Sequence, residues 1–127
     1  MRKKPKPQEP VTVEKAVTLY LADKTSQQLR DSTLTKLDTI FKKQLLRWCR
    51  EHGVHFLLDL DLAHLQQFRG SWRDKALSAR KKQERLRGFF YFCQANGWIA
   101  QNAAIGLSRI KVEQPPTDYL RLMSTPR

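Results

Sequence analysis

Lysine and arginine recur at helical spacing in two stretches of this chain, and cations so arranged on rigid elements can meet several phosphates of a polyanion together. In the first stretch Lys36, Lys43, Arg47 and Arg50 fall seven, four and three residues apart, which on an α-helix makes one stripe. In the second, Ser78 precedes Arg80, Lys81 and Lys82 in SARKKQERLRGFF. A helix capped by Ser78 and starting at Ala79 sets those three cations in its first turn, where free backbone N–H groups and the helix dipole also favour phosphate. Arg80, Lys81, Glu84, Arg87 and Tyr91 then face away from an apolar stripe of Leu86, Phe89, Phe90 and Cys93. Thr39, Gln44, Glu84 and Tyr91 are placed to add hydrogen bonds to bases or to water. A single charged stripe opposite a core face also serves plain solvation; two on one net-basic domain favour binding.

Other chemistries find less footing. Cys49 and His52 share a helix face, but Gly53 breaks the helix before His55, and neither a second nearby cysteine nor a CxxC pair completes a zinc set, unless Cys93 joins from another helix. No metal and no cofactor is expected. His52, His55 and His64 have no Ser or Cys partner in a recognisable catalytic pattern, and no glycine loop is built to cradle phosphate. No catalytic residue is assigned. Trp48, Trp72 and Trp98 are spaced as packing residues rather than base-stacking platforms.

The elements that must carry these side chains are helices. Thr12 can cap a first helix with Glu14 in its first turn and Val13, Ala16, Val17 and Tyr20 inward, ending near Asp23. Ser32 can cap a second, with Leu34, Leu37, Phe41, Leu45 and Trp48 as its apolar stripe and Gly53 as its stop. Asp61 opens a third carrying Leu62, Leu65, Phe68 and Trp72. The fourth runs from Ala79 to a stop at Gly97. Asn102 caps a short fifth with Ile105, Leu107 and Ile110, before Pro115 and Pro116 end regular structure. With no alternating strand pattern and no hairpin signal, the expected fold class is all-α, a compact bundle of four to five helices.

Composition bounds the partners. The 127 residues carry 24 Lys and Arg against 12 Asp and Glu, a net charge of +12. Residues 11 to 112 alone keep 18 basic and 9 acidic side chains, so the surplus belongs to the expected folded part. Such a surface attracts nucleic acid first and an anionic membrane second. Residues 1 to 10 alternate Lys or Arg with Pro and read as a disordered basic arm. Residues 113 to 127 show no core pattern and read as a linker or tail. No apolar run approaches the roughly 20 residues of a membrane span, so no membrane partner is expected. Two cysteines on apolar faces and no apolar leader point to a reducing cytoplasm.

The order of STLTKLDTIFKKQLLRWCREHG, then LDLDLAHLQQFRGSW, then SARKKQERLRGFFYFCQANGWIAQNAA resembles the N-terminal core-binding domain of tyrosine recombinases, the phage integrase family, over about residues 11 to 112. Shared features are a Thr or Ser before a basic helix, a hydrophobic-Phe-Phe segment, and Gly-Trp followed by Asn. Ala103 stands where the family commonly has Pro, a change that costs little because Asn102 still caps. The resemblance implies a SAM-like helical domain that clamps one face of duplex DNA with its second and fourth helices, in DNA integration or recombination; carried over by position, Lys36, Lys43 and Arg47 on the second and Ser78, Arg80, Lys81 and Arg87 on the fourth become the candidate DNA-binding residues. It also implies that the nucleophilic tyrosine and its arginine, lysine and histidine partners belong to a following domain absent from these residues. Tyr119 matches no catalytic pattern, so the chain itself is expected not to be an enzyme. Double-stranded DNA is the expected partner, mainly through phosphate contacts, with the free chain a monomer. Family members also touch one another on DNA, which leaves a second expectation: a protein-interaction or regulatory module that pairs with recombinase subunits without catalysis.

Overall fold

Among the described residues, helix-forming stretches with local start and stop signals fold into five α-helices. The structure, a computed structural model, describes residues 10–110. The order is α1 (Val13–Ser26), α2 (Asp31–Asp38), a π-helical segment (Thr39–Leu45), α3 (Leu46–Glu51), a 3-10 turn (Leu57–Asp59), α4 (Leu62–Gly70), α5 (Ala76–Ala95) and a second 3-10 turn (Ala103–Gly106). Among the described residues there is no strand, only an isolated bridge between Thr12 and Phe56; the expected all-α class stands. The basic arm expected over residues 1 to 10, Pro10 apart, and the tail over 113 to 127 lie outside the described residues.

Several expected caps form. Thr12 Oγ1 accepts from Lys15 N at 3.0 Å, Asp61 Oδ1 from His64 N at 3.0 Å, and Asn102 Oδ1 from Ala104 N at 3.0 Å. Gly53 and Gly97 take φ of +71° and +78°, and each sits in the same closing geometry. Val54 N donates to Cys49 O at 2.8 Å, and Trp98 N donates to Cys93 O at 3.0 Å, the six-residue closure that a left-handed glycine permits. α1 runs three residues past Asp23, because Thr25 and Ser26 hydroxyls bond back to Leu21 O and Asp23 O and the left-handed Gln28 then ends the turn.

Three expectations need correction. The second helix starts at Asp31 behind Arg30, with no side-chain cap at Ser32; the Asp31 carboxylate in the first turn suits the helix dipole without one. α5 starts at Ala76 behind Lys75, so Ser78 is inside the first turn and does not cap. Ala76 and Leu77 are good helix formers, and Ala79 N already donates to Lys75 O at 2.8 Å. The fifth helix is one 3-10 turn: Ala104 and Leu107 are buried, but Ile105 is 64% exposed.

The core centres on Tyr20, Phe41 and Phe89, with ring centroids 5.1–5.3 Å apart and Tyr20 edge-on to both phenylalanines, a favoured aromatic arrangement. Trp48 is buried, while Trp72 and Trp98 are half-buried against the core. Cys49 and Cys93 are free thiols within it, and burial pushes each up to about 12. A thiol reagent at pH 8 is therefore expected to label the folded chain far more slowly than the chain in denaturant, where both thiols return to their ordinary range. Equal rates in the two conditions would contradict this burial.

Candidate nucleic-acid interface

The long helical run from Asp31 to Glu51 decides where its cations point. An α-helix turns about 100° per residue, and a π turn inserts about one extra residue, so side chains beyond the π-helical segment are rotated by about that angle. The packing shows the shift: Leu37, Ile40 and Phe41 are buried at ordinary helical spacing, but where that spacing would next bury residue 44 with Leu45, Gln44 stays half-buried and Leu46 goes in instead. The stripe expected from Lys36 through Lys43 to Arg47 is accordingly broken. Lys36 and Arg47 line different clefts, and Lys43 is exposed on the π-helical segment and lines neither.

The first cleft, about 330 Å³, runs between the start of the long helical run and the N-terminal half of α5. Lys36, Thr35, Thr39 and Gln44 line it from one side and Ser78, Lys81 and Arg85 from the other. Three members of the candidate set, Lys36, Ser78 and Lys81, thus come together from two helices. Arg85 was missed by the sequence reading, though Ser78, Lys81 and Arg85 stand at i, i+3 and i+7, the spacing of one helix face. Arg85 also faces Tyr20: burial pushes the Tyr20 hydroxyl up to about 12, and the Arg85 charge opposes that rise.

Arg80 and Arg87 belong to the other flank of α5. Arg80 is about 100° round from Lys81 and shares a face with Gln83 and Arg87. That face is committed to the second 3-10 turn and its exit: Gln83 Nε2 donates to Ser108 O at 2.9 Å and Arg87 Nη2 to Leu107 O at 3.2 Å. Arg87 also meets Glu84 Oε2 at 3.2 Å. Arg69 of α4 completes the cluster, bonding Gln83 Oε1 at 2.9 Å and Ser108 O at 2.6 Å. Arg87 is a structural tie rather than a free cation, because its carbonyl partner comes from a distant part of the chain.

Lys82 departs furthest from expectation. Instead of standing in a first turn open to phosphate, it is 5% exposed. Its Nζ donates to Asp74 Oδ1 at 2.7 Å and to Gln44 Oε1 at 2.8 Å, and lies 4.7 Å from the centre of the Trp72 ring. One ammonium thus joins α5, the π-helical segment and the loop before α5. Gln44, Asp74 and Lys82 form the wall between the first cleft and a second, wider one.

The wider cleft, about 860 Å³, is lined by Arg47, Trp48, Glu51 and His52 on one side and by Gln67, Phe68, Trp72 and Arg73 on the other. Arg47, expected to meet DNA on the Lys36 stripe, opens here and pairs with Glu51 at 3.1 Å. The possible zinc set disperses: Cys49 is buried, His52 stacks on Trp48 and His55 meets Phe56 edge-on. Among the described residues no three His, Cys, Asp or Glu side chains gather as metal ligands, and no helix is long and apolar enough to cross a membrane.

Comparison of the chain with protein-family models, with curated proteins and with solved structures finds no match.

Proposed function

We propose that the chain is a duplex-DNA-binding module, a SAM-like core-binding domain of a site-specific tyrosine recombinase, which grips the phosphate backbone without itself catalysing strand transfer. The observation that carries this reading is the first cleft, where Lys36, Lys81 and Arg85 converge from two helices with Thr35, Thr39 and Ser78 between them. Among the described residues its one carboxylate, Asp74, is already paired with Lys82, which leaves the rest of that lining cationic. Ammonium, guanidinium and hydroxyl groups in that arrangement suit phosphate oxygens. The order of sequence features adds the recombinase half of the reading. The two elements that wall the groove are the second and fourth helical runs, counting Asp31 to Glu51 as one, which are the runs that the resemblance assigns to DNA.

A generic labelled duplex titrated at two salt concentrations tests it. Binding is expected to weaken steeply with salt, as release of counterions from phosphates requires. No binding at low salt would overturn it and favour the second reading, a module that pairs with recombinase subunits. Leu58 and Ile105, each 64% exposed, are the side chains such pairing would use, beside an apolar hollow lined by Leu57, Leu60, Phe90 and Ile99.

A further inference from the structure

We propose that the wider cleft takes an unpaired nucleobase, with the open face of His52 as stacking platform and the Trp72 indole N–H as a donor to the base edge. The inference rests on the nucleic-acid reading above and extends it to a second ligand class, single-stranded or frayed strands.

The platform is held in place before any ligand arrives. His52 lies on Trp48 with ring centroids 4.0 Å apart and planes within 18°. Its Nδ1 is 2.8 Å from Trp48 O. A carbonyl only accepts, so Nδ1 donates to it and Nε2 is the ring nitrogen left for a ligand. Trp48 is buried while His52 is exposed, so one imidazole face is covered and the other is open to the cleft that His52 lines. A ring fixed by a stack and a hydrogen bond loses little rotamer freedom when something settles on it.

Across the cleft, Trp72 is equally constrained: Phe68 meets it edge-on at 5.5 Å and Lys82 covers it. Its Nε1 is buried and has no hydrogen-bond partner among the described residues, an unfavourable state for a donor that an acceptor on a ligand would relieve. Gln44 gives its oxygen to Lys82 and keeps its amide N–H groups, and the exposed Gln67 adds a second amide. Amide and indole groups of this kind read base edges. Arg47 and Lys82 are paired with Glu51 and Asp74 of the same lining, and Arg73 brings the surplus positive charge that a phosphate-bearing ligand requires. The volume is in the range of small-ligand sites, about 300 to 1,000 Å³.

The ligand must be unpaired because a base within a duplex has both faces covered by its neighbours; only an unstacked base presents one to an aromatic ring. The shared wall of Gln44, Asp74 and Lys82 sets this cleft directly beside the phosphate groove, so a strand end leaving that groove would meet it.

The test compares an end-labelled eight-nucleotide thymidylate strand with an abasic strand of the same length and charge. The base-bearing strand is expected to bind about tenfold more tightly. His52→Ala and Trp72→Phe should each remove most of that difference and leave abasic binding unchanged; the first is an exposed position and the second keeps an aromatic ring. Equal binding of the two strands, binding of neither, or a difference that survives both substitutions would overturn the site. A blunt duplex titrated alongside separates the two readings. Duplex binding with no preference for bases retains the groove alone, and a base preference without duplex binding retains this cleft alone.

Discussion

With Lys36 and Lys81 both changed to glutamate, affinity for a blunt duplex at 50 mM salt is expected to fall about a hundredfold, and the slope of log affinity against log salt to shrink by about two. Each lysine that meets a phosphate releases about one counterion, and a glutamate in its place adds repulsion. Both side chains are exposed and in no ion pair among the described residues, so stability should shift by no more than about 0.5 kcal/mol. The informative control is Lys43→Glu with Arg80→Glu. It makes the same change in net charge, but neither side chain lines the groove, and the loss should stay under about tenfold. Equal losses from the two pairs would show that net charge alone holds the DNA, and the groove assignment would fail.

Asp74→Ala is expected to cost about 2 to 3 kcal/mol and to lower the melting temperature by about 10 to 20 °C for a domain of this size. The Lys82 side chain is 6% exposed and its partner's 27%. Removing the carboxylate leaves a buried ammonium with only Gln44 and the Trp72 face. Stranding a fully buried charge costs about 3 to 5 kcal/mol, and water reaching the half-open side at Asp74 reduces that. Adding Lys82→Met on the same background should recover most of the loss, since a thioether of similar length needs no counterion. A single variant melting within about 2 °C of the parent would show that the pair carries little weight.

The sequence by itself determined the helical class and most of the helix ends, because these depend on neighbours within a turn. Thr12, Asp61 and Asn102 cap through donors two or three residues away, and Gly53 and Gly97 stop helices through their own φ. The buried faces of α1 and α5 follow from 3.6-residue periodicity for the same reason. Local preference misled at Ser78, where two helix formers upstream let the helix start earlier. What the tertiary structure decided is which cations are free. The π turn between Phe41 and Leu46 satisfies a core that takes in both Leu45 and Leu46, and in doing so it parts Lys36 from Arg47. Arg87 is claimed by Leu107 and Lys82 by Gln44 and Asp74, through bonds that span 20, 38 and 8 residues. Helical spacing places a lysine on a face; only the packing of other segments against that face sets whether its charge meets solvent, a carboxylate or a phosphate.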